Sequence, residues 1–315
     1  MPTTRDIPEF LAQRLDDAYD ADTVARIRDG FRAACDRPVT LRANTLRAGA
    51  DEVATALSDA GIPWTHPSWY PDAFILDGVR ERAVWDLEIY RAGKVYLQSL
   101  SSMMPPLALA PRAGADILDM CAAPGGKTSQ IMALAGGQAH LTACEMSRPR
   151  AEKLEYNLDK LGCVNVQVMR VDARRLDEFF SFDQILLDAP CTGTGTISTG
   201  DERAERRISP ELLAKVAKSQ RALLDRALTV LKPGGTLIYS TCSILPEENE
   251  RQVAAALKRH RDCEVAPVAI GGLDRAADDA PQTLPCALDS ALTICPTRDY
   301  EGFFIAAIKK AARKR

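Results

Sequence analysis

Two cysteines and one glycine-bearing turn hold most of the chemistry that this chain of 315 residues could perform. Cys191 stands in DAPCTGTG (188–195) and Cys242 in STCSILPEENE (240–250), each directly after an apolar run that reads as a strand. In a reducing compartment a cysteine is by default a small buried hydrophobe. These two are flanked by Pro and Gly-Thr-Gly, or by Thr and Ser, which puts them in loops at strand ends instead. Open α/β sheets gather their ligands at the carboxyl ends of strands, so two such loops on neighbouring strands face one crevice. A thiolate there is a strong nucleophile and a good leaving group.

The turn is DMCAAPGGKT (119–128), which follows a strand and opens a helix, where free backbone N–H groups can meet a ligand. It is one residue away from the phosphate loop G-x-x-x-x-G-K-[ST], with Cys121 in the place of the first glycine. With ILLDAP (185–190) as the strand that would end in a magnesium-binding aspartate, a P-loop ATPase is a real rival. Two features oppose it. A side chain at 121 and the ring of Pro124 hinder wrapping around phosphate oxygens, and Asp119 repels an anion. The same aspartate suits a cationic ligand such as S-adenosylmethionine. Glu145 ends the next strand, where a carboxylate can hold both ribose hydroxyls, and Asp172 follows the third strand, placed for an adenine amino group. Each acid alone could equally be a helix cap; the series along a βαβαβ pattern describes an adenosine pocket without phosphates.

The elements that position these residues can be read from periodicity. Apolar runs at 115–120, 140–145, 164–169, 183–188, 236–240 and 303–308 suit parallel strands buried on both faces. Helical patterns lie between them near 127–135, 148–161, 211–231 and 246–260, the third stopping at Lys232-Pro233-Gly234-Gly235. This is a doubly wound α/β domain over 112–315. Residues 1–111 form a smaller mixed unit, with helices near 7–19, 22–34 and 51–60 and strand-like VTLRAN, FILDG and KVYLQS. Pro105, Pro106, Pro111 and Gly114 punctuate its end. The segment 262–300 has no clear period and reads as loop with short strands.

Composition narrows the function classes. With 46% hydrophobic and 26% charged residues, and 40 basic against 43 acidic side chains, the chain is an ordinary globular one. Neither unit is a basic nucleic-acid domain by net charge: residues 1–111 hold 12 basic and 16 acidic side chains, the rest 28 and 27. No window approaches the roughly 18 apolar residues of a membrane span, and MPTTRDIPEF has no secretory apolar stretch, so a cytoplasmic protein is expected. Nine cysteines without a CxxC pair, and three histidines (66, 140 and 260), argue against a metal site or a disulfide framework.

ILDMCAAPGGKTSQ, LLDAPCTGTG, YSTCSILPEENE and the terminal EGFFIAAIKK resemble the Sun (NSUN, Fmu-like) family of S-adenosylmethionine-dependent RNA cytosine-5 methyltransferases. LRANTLR (41–47) and VYLQSLSSMM also look like that family's N-terminal domain. The resemblance implies a class I (Rossmann-like) methyltransferase domain with a seven-stranded, mostly parallel sheet, preceded by a small α+β domain similar to an RNA-recognition motif. It implies S-adenosylmethionine contacts from Cys121, Ala122, Ala123, Pro124, Gly125, Gly126 and Lys127, and from Glu145, Arg150, Asp172 and Asp188. The implied substrate is a cytosine in structured RNA, ribosomal RNA ahead of transfer RNA, met by a monomer with no DNA or membrane partner; a catalytically silent RNA-binding assembly factor is the remaining alternative.

Carbon 5 of cytosine becomes nucleophilic only after something adds to carbon 6. Family behaviour gives that addition to Cys242, proton supply near the ring nitrogen to Asp188, release to Cys191, and an orienting role to Lys127. Spacing alone leaves the order of the cysteines open, because DNA cytosine-5 methyltransferases attack with a Pro-Cys cysteine, which here is Cys191. RNA contacts are expected from Arg203, Arg206, Arg207, Lys215, Lys218, Arg221 and the basic tail 309–315. The chain departs from the family pattern at Thr192, where serine is commoner, at Glu301, where aspartate is usual, and throughout GDERAERRISP (200–210).

Overall fold

The computed structural model describes residues 7–274 and 276–313. Residues 1–6 of the expected leaderless start and the last two of the basic tail lie outside the described residues. The chain opens with α1 (Glu9–Ala18) and α2 (Ala21–Ala33), the latter capped by Asp20, which accepts from the Thr23 N–H at 2.7 Å. There follow β1 (Val39–Ala43), α3 (Ala50–Asp59), β2 (Ala73–Leu76), α4 (Glu81–Trp85), α5 (Glu88–Arg91) and β3 (Val95–Leu97). The three strands make an antiparallel sheet in the order β2-β1-β3, closed over its own core of Leu41, Val53, Leu57, Phe74 and Val95.

α6 (Leu100–Leu109) contains Pro105 and Pro106, the residues expected to end the first unit. A mid-helix proline removes an N–H and leaves the carbonyl four residues back unpaired. Here the carbonyl that Pro106 frees, that of Ser102, accepts from Gln98 Nε2 at 3.0 Å. The apolar helix is buried along most of its length, packed on α7 and the large sheet, which outweighs the poor local propensity.

The larger unit runs β4 (Asp116–Asp119), α7 (Gly126–Leu134), β5 (His140–Cys144), α8 (Arg148–Lys160), β6 (Val166–Met169), β7 (Phe182–Asp188), α9 (Glu202–Arg207), α10 (Pro210–Val230), β8 (Leu231–Thr241), α11 (Glu250–Arg259), β9 (Cys263–Ala266), β10 (Leu292–Ile294) and β11 (Phe303–Lys310). The sheet order is β10-β11-β8-β7-β4-β5-β6, parallel from β8 to β6, with β11 antiparallel to β8. That path holds the seven expected strands. β11 is long enough for an eighth: β10 pairs its Phe303–Ile305 stretch and β9 its Ala307–Lys310 stretch.

Alternation along the strands serves both faces. Ile117, Leu186, Ile238 and Ile305 pack toward α6, α7 and α8, while Leu118, Ile185, Leu187, Leu237, Tyr239 and Phe304 pack toward α10 and α11. α1 and α2 do not join the small sheet's core. Their buried Leu11, Leu15, Ile27 and Phe31 instead cluster with Ile197, Ala204, Ile208, Ile244 and Leu245, the segments that follow the two cysteines. Among the described residues no helix is long and apolar enough to cross a membrane.

Candidate active site

Five parallel strands end side by side, and each delivers at least one candidate residue to the same edge. In sheet order Cys242 follows β8, Asp188 ends β7 with Cys191 just beyond, Asp119 ends β4, Glu145 follows β5 and Asp172 lies past β6. This is the crevice that an open α/β sheet offers to ligands.

Two cavities open on it. The smaller, about 350 Å³, is lined by Cys121, Ala123, Glu145, Arg150, Asp172, Asp188 and Cys191 among others, and by Arg207 at its rim. The larger, about 630 Å³, is a cleft between the two units, with Thr40, Tyr96 and Gln98 of the small sheet facing Pro124, Gly126, Lys127 and Phe303. Ala122, Pro124, Gly126 and Lys127 thus lie on the cleft, and Gly125 turns away against Leu154. Cys121, Ala123, Asp188, Thr196 and Cys242 line both cavities and form their common wall.

Glu145 is 3% exposed, accepts from the Ser147 N–H at 2.8 Å and forms an ion pair with Arg150 at 3.3 Å. A carboxylate has about four acceptor positions. Two remain for a diol in the cavity. Arg150 also donates to the Ala123 carbonyl at 2.9 Å, tying the turn to this acid. Asp172 is held by Arg174 through bonds of 2.8 and 2.7 Å and caps the following turn through the Arg174 N–H. Those bonds keep its carboxyl below the usual range. Asp172 therefore lines the cavity and is a cap at once.

Asp119 is buried, and burial pushes its carboxyl up to about 6 against the opposing hydrogen bond from Thr128, 2.7 Å long. Such an acid beside the turn suits a cationic group and repels a phosphate, which removes the support for nucleotide triphosphate binding here. The acidic lining and the free acceptors of Glu145 together fit S-adenosylmethionine.

The common wall carries the reactive groups. The Cys191 and Cys242 sulfurs lie 3.2 Å apart. That hydrogen bond, together with burial, holds the Cys191 thiol well above its ordinary range. Burial does the same to Cys121, which lies with Cys242 on the wall and is an inert lining group. Lys127 Nζ is 2.8 Å from Asp188 and 5.5 Å above the Phe303 ring. Burial would lower its ammonium, but the Asp188 carboxylate outweighs this and holds it above the ordinary value. Asp188 in turn accepts from Ser240 Oγ at 2.7 Å. Behind the wall, backbone meets backbone: the Gly195 N–H donates to the Cys242 carbonyl at 3.0 Å and its carbonyl accepts from Gly302 at 2.8 Å. A side chain at 195 would start 1.9 Å from the Gly302 oxygen.

Two features escaped sequence reasoning. Arg42 is fully buried and joins the units, donating to Gln98 Oε1 (2.9 Å), the Gly126 carbonyl (2.9 Å) and Ser129 Oγ (2.6 Å). Next to it Tyr96 packs so closely on Gly126 that a Cβ there would lie 2.8 Å from the ring. The second is Phe303, whose place in EGFF beside Glu301 was its only signal. Glu301 itself accepts from Ser99 at 2.6 Å on the cleft floor. The basic residues Arg203, Arg206, Arg207, Lys215, Lys218 and Arg221 are all exposed along α9 and α10.

The family description "16S rRNA methyltransferase RsmB/F" matches residues 106–309, and a ferredoxin-like domain described for the same proteins matches 7–81. Ribosomal RNA small subunit methyltransferase F of Cronobacter sakazakii is 36% identical over 293 residues, covering 90% of this chain and 60% of that protein. The chain thus spans about 60% of the length of the curated relatives it matches. A methyltransferase homolog protein from Pyrococcus horikoshii superposes with a TM-score of 0.76 at 29% identity, covering 96% of this chain and 100% of that one. NSun6 from Pyrococcus horikoshii, solved with SFG, shares the fold with a TM-score of 0.83 at 22% identity, covering 98% and 99%.

Proposed function

The chain belongs to the 16S rRNA methyltransferase RsmB/F family, and from that premise we propose that it methylates carbon 5 of a cytosine in ribosomal RNA, using S-adenosylmethionine. The observation that carries this reading is the pair of thiols 3.2 Å apart where an acidic cavity meets an interdomain cleft, Cys242 on their shared wall and Cys191 on the acidic side. Glu145, Asp172 and, from the turn, Cys121 and Ala123 would hold the cofactor, which supplies a methyl group made electrophilic by its sulfonium. The target base enters the cleft, splayed out of its strand as bases in RNA loops are.

Cys242 lines the cleft as well as the acidic cavity, whereas Cys191 is among the lining residues of the acidic cavity alone. This favours Cys242 as the sulfur that bonds to carbon 6. The Lys127 ammonium, paired with Asp188, holds a proton for the ring nitrogen that gains charge when the C5–C6 double bond is broken. Cys191, on the cofactor side of the base, would give its own proton to solvent and then take the carbon 5 proton. Electrons from that C–H bond then reform the double bond and expel the Cys242 thiolate. The exposed arginines and lysines of α9 and α10 supply phosphate contacts to an otherwise acidic protein. We place the reaction in the cytosol, performed by single chains.

Incubation with unmodified ribosomal RNA and methyl-labelled S-adenosylmethionine, followed by nucleoside analysis, is expected to give 5-methylcytidine. Cofactor-binding protein that labels no cytidine in ribosomal or transfer RNA would overturn the proposal.

A further inference from the structure

Between the two cysteine loops lies a carboxylate that touches neither cavity. Glu248 is fully buried in the loop that leads from Cys242 into α11. Its Oε1 accepts from the Thr192 N–H at 2.8 Å and from Gln220 Nε2 at 3.1 Å. Its Oε2 accepts from the hydroxyls of Thr192 and Ser243. Thr192 follows Cys191 and Ser243 follows Cys242, so one carboxylate grips the residue after each sulfur.

The surroundings brace this grip. Gln220 also donates to the Pro190 carbonyl at 3.0 Å, fixing Cys191 from its other side. Tyr239 donates to the Glu248 carbonyl at 2.6 Å, and Asn249 Nδ2 donates to the Ser243 carbonyl at 2.9 Å. No cation pairs with Glu248 among the described residues; its two oxygens are met by four hydrogen-bond donors alone. Removing a carboxylate from water without a counter-ion is costly, and a purely packing role would be filled better by an apolar residue. The hydroxyl of Thr192 makes the bond a serine could make, which accounts for the exchange at that position.

We propose that Glu248 is a positioning residue that sets the spacing of the two sulfurs by holding the residue after each of them. The spacing role does not depend on the methyltransferase reading; its effect on kcat does. Reacting groups displaced by about 1 Å lose about 10²-fold in rate.

The test compares wild type, Glu248→Gln and Glu248→Asp. Diamide, which takes up both thiol hydrogens as the disulfide forms, is applied to the protein without RNA or cofactor, and the Cys191–Cys242 linked peptide is followed by mass spectrometry. Wild type is expected to cross-link at once, Glu248→Gln about tenfold more slowly, in step with a roughly 10²-fold drop in kcat at unchanged KM for RNA and unchanged cofactor affinity. Glu248→Asp, which keeps the carboxyl but shortens the reach, should recover part of kcat. A Glu248→Gln protein with wild-type cross-linking and kcat overturns the proposal, as does one whose only change is a lower Tm. Should Glu248→Gln fail to fold, Thr192→Val and Ser243→Ala each remove one donor and must slow cross-linking for the proposal to stand. Cross-linking that depends on Glu248 in a protein that makes no 5-methylcytidine would uphold the spacing role and sink the methyltransferase reading alone.

Discussion

The two cavities are built in opposite ways. The acidic one is made by consecutive strand ends of a single sheet, from β7 through β4 and β5 to β6, each bringing its own carboxylate or turn. The cleft needs two units: Thr40, Tyr96 and Gln98 face Lys127 and Phe303, and the surfaces are held together by Arg42. One sheet edge can be inherited as a block, so its chemistry is general; an interdomain cleft depends on how two units are joined, so its selectivity is particular. The wall they share is where the two requirements meet.

If that division is right, damage to the wall is the gravest. Cys242→Ala is expected to cut methyl transfer by at least about 10³-fold and to form no denaturation-resistant RNA adduct, while Cys191→Ala accumulates that adduct. Denaturing gels with labelled RNA read both, and accumulation in Cys242→Ala would exchange the two roles. Next comes the joint between the units. Arg42→Ala leaves Gln98 Oε1 and the Gly126 carbonyl short of a donor and is expected to cost about 3 kcal/mol in urea unfolding. Unfolding at the wild-type midpoint would show that the cleft is held some other way.

Asp119 tests the turn itself. Its carboxyl is raised to about 6 in the folded protein, above the unfolded value of about 3.9. The stabilisation from its bound proton is therefore complete below about pH 4 and lost as pH rises through about 6. Thermal unfolding of Asp119→Asn should gain on wild type by about 2 kcal/mol from pH 4 to pH 7; a difference that does not change with pH would show that Asp119 titrates elsewhere. The smallest effect isolates the acidic cavity: Glu145→Gln should weaken S-adenosylmethionine binding about tenfold in calorimetry and leave RNA affinity as it was. Equal losses on both sides would break the separation drawn above.

The acidic cavity was legible from residues alone because its signals are local. An apolar run, an acid at its end and a Gly-Gly turn repeat along the chain, and β4, β5, β6 and β7 appear within two residues of where periodicity puts them. The cleft was not, because Arg42 meets Gly126 across 84 positions and nothing in LRANTLR announces that contact. Pro105 and Pro106 lie inside a helix for a different reason: whether a proline breaks a helix depends on who takes the freed carbonyl, and here Gln98, just before the helix, takes that of Ser102. Glu248 lay in plain view in STCSILPEENE, yet its partner Thr192 is 56 positions away.

Gly195 leaves a mark of another kind. Because its backbone is pressed between Cys242 and Gly302, the wall has no side chain to exchange there, and selection can neither widen nor recolour it without parting the two loops. The exposed segment 200–210 outside carries no such restraint at Glu202, Arg203, Arg206 and Arg207. On the proposed function, changes along that rim would alter which RNA is met while leaving the reaction untouched, and a directed search for a new target should begin there.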